Sequence, residues 1–444
     1  MFKFLSNIIR SDKSHGHSIF FIYILKVAYQ LLFFCIIEDN IRDMRFLLKN
    51  AWIYQETQSR FAQQDLLIEN DIVAAMQPGI TAKPDDSVID LTDCYIFPGL
   101  VDVHVHFREP GFSYKETIAT GCAAALQGGY TTVCAMPNLQ PAPDSLENLA
   151  IEEKLIHDTA TIHVLPYGCI TQDQKGDGKL VDFKTLSNKV VAFSDDGHGV
   201  QSEALMRQAM EQVAELDKII VAHCEINSLI KGGYIHDGKY AQAHGHKGIC
   251  SESEWQQVER DIQLSRETGC RYHVCHVSTK ESVELIRAAK AEGLKITCET
   301  APHYLLLCEE DLQEDGRFKM NPPLRSKVDK EALLQGIIDD TIDIIATDHA
   351  PHSYEEKARG LTDSAFGIVG LETAFPLLYT YLVKQNIITL EHLIKLMSVN
   401  PRKIFGLKGA LEIGEVANFT VFRFQETYKI DSQKFVSKGK STPF

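Results

Sequence analysis

The sequence lacks a Cys-x-x-Cys pair, although it contains eleven cysteines. Because their number is odd and they are scattered through apolar runs, we expect neither a disulfide framework nor a cysteine-ligated zinc site. Cys134 and Cys275, for example, each follow a valine in a strand-like run. Cysteines in such positions are typical of small buried hydrophobic residues in a reducing compartment. The pattern therefore predicts a cytoplasmic protein.

The sequence also lacks an excess of positive charge. It has 45 lysines and arginines against 60 acidic residues, which gives a formal net charge of −15. Nucleic-acid-binding surfaces carry basic stripes that neutralise phosphates, so we expect no nucleic-acid partner. No internal repeat or low-complexity tract is present. With 444 residues, 44% of them hydrophobic, the chain suits one large barrel with a smaller appendage.

The first 43 residues contain one long apolar run, at residues 19–37, interrupted by Lys26 and Gln30. This run is long enough to span a bilayer. No small-residue cleavage site follows it, so it does not have the pattern of a secretory signal. Met44 opens an alternating strand and is a natural start. We therefore expect residues 1–43 to be a non-functional extension from upstream translation rather than a membrane anchor.

Short apolar segments alternate with helical segments from residue 97 onward. Eight such strands predict an α/β fold that closes into a (β/α)8 TIM-like barrel over residues 97–407. Strand-and-turn patterns before the barrel and at residues 412–424 predict a small β-sandwich domain. That domain would be built from both ends of the chain, residues 44–96 and 408–444. The predicted barrel strands are residues 101–106, 131–136, 161–165, 190–194, 219–222, 272–277, 295–299 and 343–346.

Polar residues cluster at the C-terminal ends of these strands, where a barrel places its active site. His104 and His106 alternate on the first strand, so their side chains and that of Arg108 point to the same side. Two imidazoles in that arrangement suit Zn²⁺. Further histidines and aspartates end later strands, and buried charges without partners are costly. The sequence therefore predicts a metal site, with later candidates Asp196, His223, His276 and Asp348.

Four motifs together carry a resemblance to a known family. They are HVHFREPG at residues 104–111, AMPN at residues 135–138, NPPLR at residues 321–325 and DHAPH at residues 348–352. In this order they resemble the amidohydrolase superfamily and, within it, the dihydroorotases of the longer class. The similarity runs from about residue 46 to residue 407.

The resemblance implies one or two Zn²⁺ ions per chain. His104, His106 and Asp348 match the ligands of a first metal, and Asp196 matches the position that bridges two metals. Many relatives have a carboxylated lysine at the bridging position, and the aspartate here implies that none forms. The implied ligands of the second metal are His223 and His276.

The resemblance also implies a substrate site for dihydroorotate. Arg108 would bind the ring carboxylate through its planar guanidinium, although a salt bridge with a nearby glutamate is the alternative. Asn138 and Asn321 lie next to prolines, so a turn role is the alternative for both. The remaining implied contacts are the side chains of His106 and His352 and the backbone of Phe366 and Gly367.

The implied reaction is the reversible cyclisation of N-carbamoyl-L-aspartate to L-dihydroorotate in pyrimidine biosynthesis. A metal-bound hydroxide would attack the ring carbonyl, with Asp348 as the proton shuttle. Residues 353–363, rich in charge and glycine, would form a mobile lid. In relatives the small β domain continues beyond the end of this sequence, which gives the expectation of a truncated copy.

Two alternatives stay open. The first is an allantoinase or dihydropyrimidinase-like hydrolase, which Arg108 disfavours because rings without a carboxylate have little use for a guanidinium. The second is an inactive structural partner of aspartate transcarbamoylase, which the full set of ligands disfavours. The expected partners are a small-molecule substrate and a second copy of the chain in a homodimer, and an association with aspartate transcarbamoylase stays open.

Overall fold

The computed structural model describes residues 45–444 and, before them, the strand Leu32–Cys35. The predicted extension over residues 1–43, with its apolar run at residues 19–37, lies outside the described residues apart from that strand. Within the described part of the chain, no helix is long and apolar enough to cross a membrane.

The described residues form a mixed α/β structure. The strands are β1 (Leu32–Cys35), β2 (Arg45–Gln55), β3 (Arg60–Glu69), β4 (Ile72–Gln77), β5 (Ser87–Asp90), β6 (Tyr95–Pro98), β7 (Leu100–Val105), β8 (Tyr130–Ala135), β9 (His163–Pro166), β10 (Ile219–Ala222), β11 (Ile235–His236), β12 (Gly248–Ile249), β13 (Arg271–Val274), β14 (Ile296–Thr300), β15 (Ile344–Ile345) and β16 (Asn418–Phe422).

Helices alternate with the strands from β7 onward. The α-helices are α1 (Ile118–Gln127), α2 (Leu146–Thr159), α3 (Phe183–Leu186), α4 (Glu203–Ala214), α5 (Asn227–Ile230), α6 (Lys239–His244), α7 (Glu252–Thr268), α8 (Lys280–Ala291), α9 (Pro302–Leu306), α10 (Lys327–Ile338), α11 (Tyr354–Lys357), α12 (Gly360–Asp363), α13 (Ala374–Leu378), α14 (Leu390–Ile394) and α15 (Asn400–Phe405). Two π-helical segments extend α13 and α14, at Tyr379–Val383 and Lys395–Val399. The 3-10 turns are Glu56–Gln58, Gln172–Gln174, Glu309–Asp311, Gly316–Phe318 and Ser432–Lys434.

A seven-stranded sheet joins the beginning of the described chain to a strand near its end. Its order is β1-β16-β6-β2-β3-β4, and β5 also pairs with β2. A bulge in β2 lies between Leu48 and Ala51, with Asn50 at a φ of 64°. The extra residue brings Ala51 and Ile53 to the same side as Leu48, where all three are buried in one apolar cluster with Phe419 of β16.

The parallel strands form two further sheets, β7-β8-β9 and β10-β13-β14-β15. Single parallel bridges link Gly168, after β9, to Phe193, and Phe193 to Ile220 of β10. Another links Val105 of β7 to His349, after β15. The predicted strands at residues 101–106, 131–136, 161–165, 219–222, 272–277, 295–299 and 343–346 therefore all contain strand residues, with bounds shifted by a few positions.

The predicted strand at residues 190–194 differs, because only Phe193 forms bridges there. Its backbone is nevertheless bonded on both sides: Phe193 N donates to Ile219 O at 3.1 Å, and Ser194 N donates to Gly168 O at 2.9 Å. The segment thus links the two parallel sheets through a few hydrogen bonds, too few for a continuous ladder.

Helix α8 illustrates how the sequence covers the strands. The Thr279 hydroxyl accepts a hydrogen bond from the Ser282 amide and so caps the first turn. Val283, Ile286 and Ala289 recur at helical spacing and are buried against the main apolar cluster. This packing fixes β13 and β14, whose C-terminal ends contribute to the site.

Candidate metal centre and active site

The end of β7 presents His104, a fully buried imidazole. Its Nδ1 lies 2.6 Å from Oε1 of Glu299 on β14. When the imidazole is neutral, donation of the Nδ1 proton to this carboxylate leaves the lone pair on Nε2. That nitrogen lies 3.4 Å from Oδ1 of Asp196 and 3.5 Å from Oδ1 of Asp348. One nitrogen of His104 is therefore held by a buried acid, and the other faces two carboxylates.

His106 and Asp348 complete the first group. Nε2 of His106 lies 3.1 Å from Oδ1 of Asp348 and 3.5 Å from Oδ2 of Asp196. The strand alternation predicted from the sequence thus brings Nε2 of both histidines to the same carboxylates. The potential ligand atoms of His104, His106 and Asp348 all lie within 4.8 Å of one another.

His223 and His276 form a second pair of imidazoles next to Asp196. Nδ1 of His223 and Nε2 of His276 are 2.9 Å apart. Oδ1 of Asp196 lies 3.8 Å from the first of these nitrogens and 3.5 Å from the second. The same oxygen lies 3.4 Å from Nε2 of His104, and the potential ligand atoms of His104, Asp196 and His276 all lie within 4.8 Å of one another. The Asp196 carboxylate is therefore shared by imidazoles of both groups.

The donor set fits a divalent metal. In a tetrahedral site with bonds of about 2.0–2.2 Å, ligand atoms lie about 3.4 Å apart, close to most separations found here. Among the described residues, Nε2 of His104 and Oδ1 of Asp196 are buried side-chain atoms with no hydrogen-bond partner. Buried polar atoms are normally paired, and a cation at this position would satisfy both.

The electrostatics of the site keep its carboxylates ionised. Burial raises the pKa of Asp348, but the charge of His104 and the hydrogen bond with His106 outweigh it and bring the pKa to about 2. The same balance of burial against His104 holds the pKa of Asp196 well below its ordinary value. Burial opposes the charging of His104, yet Asp196 and Glu299 raise the pKa of this imidazole well above its ordinary value.

Three residues of the site have left-handed backbone conformations. The φ angles are 61° at Arg108, 32° at His276 and 50° at Asp348. For residues other than glycine this region costs about 1–3 kcal/mol each, and it persists where the surroundings hold it in place. These three side chains are therefore aimed by backbone geometry that the surrounding contacts must maintain.

Arg108 and His352 meet beside the candidate metal ligands. The guanidinium Nε of Arg108 donates to Pro351 O at 3.4 Å, and a terminal nitrogen lies 3.5 Å from Nε2 of His352. Burial and the nearby charges of Arg108 and Lys115 lower the pKa of His352 to about 3. The imidazole is therefore neutral at physiological pH. The net positive charge of this corner comes from Arg108, because Lys115 pairs with Glu356 at 3.0 Å.

The two asparagines that were predicted to contact the substrate also lie next to residues that were predicted to bind the metal. The side-chain amide of Asn138 donates to the backbone carbonyl of Asp196. That of Asn321 donates to Glu225 at 3.1 Å, and Glu225 lies 3.5 Å from Nε2 of His223. The side-chain oxygens of both asparagines are buried without a hydrogen-bond partner. Both asparagines therefore make contacts beyond a local turn, with Asp196 and Glu225 respectively.

The predicted backbone contacts lie on the loop after α12. Gly367 has a φ of 131°, and a Cβ there would lie 2.7 Å from Ala350 O, so only glycine fits. Its amide donates to Lys319 O at 3.1 Å. The ring of Phe366 is 37% exposed and lies 4.6 Å from Nζ of Lys319.

Comparisons with known proteins decide the family. A family model described as dihydro-orotase-like matches residues 94–282. The dihydroorotases of Bacillus cytotoxicus and of Geobacillus sp. (strain WCH70) are each 50% identical to this chain over 404 residues, which is 90% of this chain and 94% of each relative. The chain belongs to the dihydroorotase family. The predicted family and the prediction of an enzyme that hydrolyses cyclic amides are both confirmed.

Solved structures show the same fold. The L-hydantoinase (dihydropyrimidinase) from Arthrobacter aurescens matches with a TM-score of 0.80 at 25% identity, covering 90% of this chain and 91% of that one. The D-hydantoinase (dihydropyrimidinase) from Thermus sp. matches with a TM-score of 0.77 at 25% identity, covering 89% and 90%. The predicted α/β class therefore agrees with the structure and its neighbours.

Sequence reasoning missed two acids of this dihydroorotase-family site. Glu299 holds His104. The sequence placed His273 out of phase with His276 as a supporting residue, and it lies 3.2 Å from Glu299. Glu225 connects His223 to Asn321. A signal was available for Glu299, since it is an acid at the end of a predicted apolar strand. Lys189, the lysine nearest in sequence to the predicted bridging residue Asp196, pairs with Glu153 at 3.1 Å at the surface.

The predicted lid is folded onto the site in this structure. Residues 353–363 contain α11 and α12. Glu356 forms a salt bridge with Lys115 at 3.0 Å. Nζ of Lys357 donates hydrogen bonds to Lys319 O at 3.0 Å and to Ala365 O at 2.7 Å. These contacts link the segment to Lys115 and to the backbone of Lys319 and Ala365, which lie near the predicted substrate residues Asn321 and Phe366 in the sequence. The mobility of the segment stays a prediction.

Proposed function

We propose that this chain is a metal-dependent dihydroorotase that interconverts N-carbamoyl-L-aspartate and L-dihydroorotate. The observation that carries the proposal is the Asp196 carboxylate, whose oxygens lie 3.4–3.8 Å from the imidazoles of His104, His106, His223 and His276, near the cationic Arg108. Membership of the dihydroorotase family supports the choice of substrate. A ring that bears a carboxylate also explains why a guanidinium lies next to the metal ligands.

The proposed cofactor is Zn²⁺, one or two ions per chain. His104, His106 and Asp348 would hold the first, His223 and His276 the second, and Asp196 would bridge them. Bound there, zinc would lower the pKa of a water molecule and polarise the ring carbonyl. Imidazole and carboxylate donors at these separations support the assignment.

Asp348 is the proposed proton shuttle. Burial raises the pKa of its carboxylate, but without metal the charge of His104 outweighs burial and brings the pKa to about 2. A bound metal would replace that charge and keep the carboxylate ionised and able to accept a proton. In ring opening it would take the proton of the attacking water and deliver it to the departing ring nitrogen. In cyclisation it would carry the proton the other way. His106, 3.1 Å away, holds the carboxylate in position and contributes a contact to the substrate.

The substrate carboxylate would bind to Arg108. Its guanidinium offers two parallel N–H donors, a geometry that matches a carboxylate. Neutral His352 beside it can donate a hydrogen bond without adding charge, and Asn138 would supply a further amide donor. On the other side of the ring, the Asn321 amide and the backbone of Phe366 and Gly367 would bind the ring amide groups.

The parallel strands are proposed to close into an eight-stranded barrel over residues 97–407. The pairings that run from β7 through Phe193 to β15, and from His349 back to Val105, support this closure. The seven-stranded sheet supports a small β-sandwich domain formed by residues 44–96 and 408–444. In such a barrel the carboxyl ends of the strands bring the proposed ligands to one face.

The family also supports proposals about the assembled protein. We expect a homodimer in the cytoplasm, and light scattering of the purified chain measures its mass directly. An association with aspartate transcarbamoylase would appear as a shift of the scattering mass when the two proteins are mixed.

Chelation and reconstitution test the proposed function. The purified chain should cyclise N-carbamoyl-L-aspartate, lose this activity after treatment with a chelator, and regain it with Zn²⁺. Asp196→Asn should fail to regain it, whereas Asp173→Asn, a change at an exposed aspartate, should behave as the parent does. A chain that binds zinc but cyclises nothing would favour the inactive structural partner.

A further inference from the structure

The C-terminal segment of residues 436–442 reaches the loop that carries Asp348. Ser437 is fully buried and Thr442 is 2% exposed, although both lie close to the end of the chain. The amides of Val436 and Ser437 donate to Glu372 at 2.9 and 3.0 Å, and Val369 N donates to Ser441 O at 2.9 Å. The segment is therefore docked by its backbone at both ends.

Between these ends, the Ser437 hydroxyl donates to the carboxylate of Glu116. Glu116 is fully buried and also accepts from the Lys438 amide at 3.2 Å. Its Oε2 lies 3.4 Å from Nε2 of His349. Because the Gly370 amide donates to Nδ1 of His349 at 3.2 Å, the proton of this imidazole lies on Nε2 and points at Glu116.

His349 is the residue that follows Asp348, whose φ of 50° needs support on both sides. On the preceding side, the Thr347 amide donates to the buried carboxylate of Asp102 at 3.2 Å. On the following side, His349 O accepts from His106 N at 2.9 Å, while the His349 side chain is held by Glu116. The left-handed turn at Asp348 is thus fixed from the strand interior on one side and from the C-terminal segment on the other.

We propose that Ser437, acting through Glu116 and His349, is a positioning residue for the Asp348 carboxylate. The proposal rests on the proposed function of Asp348 as the proton shuttle. Loss of the Ser437 hydroxyl would leave Oε1 of Glu116 bonded to the Lys438 amide and the Thr120 hydroxyl, but would remove the bond to Oε2, the oxygen that faces His349, and so would loosen His349. A displacement of the shuttle by a fraction of an ångström affects proton transfer in the transition state more than substrate binding.

Ser437→Ala tests the proposal, and Ser441→Ala is its matched control. Ser441 lies on the same segment and is nearly as buried, but its hydroxyl has no hydrogen-bond partner, so the control removes the same atom without breaking a bond. We expect Ser437→Ala to lower kcat per bound metal about tenfold with KM changed less than twofold. Ser441→Ala should match the parent in both constants.

Hydrogen–deuterium exchange provides a readout that does not depend on turnover. Peptides covering residues 346–352 should exchange faster in Ser437→Ala and unchanged in Ser441→Ala. Equal exchange and equal kcat in the two variants would overturn the proposal, as would a loss of stability in Ser437→Ala with kcat per bound metal unchanged. If the parent protein itself shows no turnover of dihydroorotate, the proposed function fails, and the exchange comparison still decides whether Ser437 holds the Asp348 loop.

Discussion

Nδ1 of His104 lies 2.6 Å from Oε1 of Glu299, and this contact determines which nitrogen of the imidazole faces the metal site. Acids behind a metal-binding histidine orient the ring and increase its basicity. We expect Glu299→Gln to weaken zinc affinity about 10–100-fold, as measured by competition with a chromophoric chelator. Glu310→Gln, at an exposed glutamate after α9, is the control. Unchanged affinity in Glu299→Gln would show that the contact does not tune the site.

Asp348→Asn removes the proposed shuttle while keeping the size of the side chain. General acid–base groups contribute about 100- to 10,000-fold, so we expect kcat per bound metal to fall by at least about 100-fold. Asp173→Asn, at an exposed aspartate outside the proposed site, should leave kcat unchanged. Substantial turnover by a metal-loaded Asp348→Asn protein would remove Asp348 from the mechanism.

The metal site should be sensitive to acid. Burial disfavours charge on His104, but Asp196 and Glu299 outweigh burial and raise the pKa of this imidazole well above its ordinary value. The imidazole therefore keeps its second proton when no metal is bound. Zinc must displace that proton, and its apparent affinity should therefore rise with pH and fall on acidification. Zinc titrations at several pH values, with proton release followed by calorimetry in two buffers, measure this. An affinity independent of pH between 6 and 8, with no proton released, would contradict the electrostatic picture.

Glu152 on α2 should make the fold less stable at high pH. Burial raises the pKa of this carboxyl well above its ordinary value of 4.5, and its Oε2 has no hydrogen-bond partner. At pH values between 4.5 and the raised pKa, the folded chain therefore keeps a proton that the unfolded chain has released. Unfolding releases a proton above pH 4.5, so the free energy of unfolding falls as pH rises from 4.5 toward the raised pKa.

The change Glu152→Met removes this carboxyl. At pH 8 it should raise the free energy of unfolding by about 1–3 kcal/mol, and it should flatten the dependence on pH. Glu259→Gln, a change at an exposed glutamate on α7, serves as the control. Denaturant unfolding at pH 5 and pH 8 provides the comparison. Equal slopes for the parent and Glu152→Met would refute the assignment.

Much of the fold could be predicted from the sequence, because short apolar segments that alternate with helical segments mark buried parallel strands directly. Seven of the eight predicted barrel strands contain strand residues. The segment at residues 190–194 differs because its pairing depends on neighbours on both sides rather than on its own pattern. The bulge at Asn50 and the π-helical extensions of α13 and α14 were likewise not predicted, since tertiary contacts determine them.

The candidate ligands were predictable because each one interrupts an apolar strand at its end. Their supporting residues were harder to find. Glu299 is 195 positions from His104, and Ser437 is 321 positions from Glu116. Nothing in the local pattern around Ser437 indicates a buried contact near the active site. Such long-range partners appear only once the strands are brought together.

The central claim is that this site hydrolyses a ring bearing a carboxylate, and a substrate panel tests it most directly. The zinc-loaded chain would be assayed for ring opening of L-dihydroorotate, dihydrouracil and allantoin by loss of ultraviolet absorbance or by product analysis, beside Arg108→Met. We predict turnover of L-dihydroorotate alone. In Arg108→Met, kcat/KM for this substrate should be at least about 100-fold lower than in the parent. Turnover of an uncharged ring by the parent, with Arg108→Met unimpaired, would contradict the account.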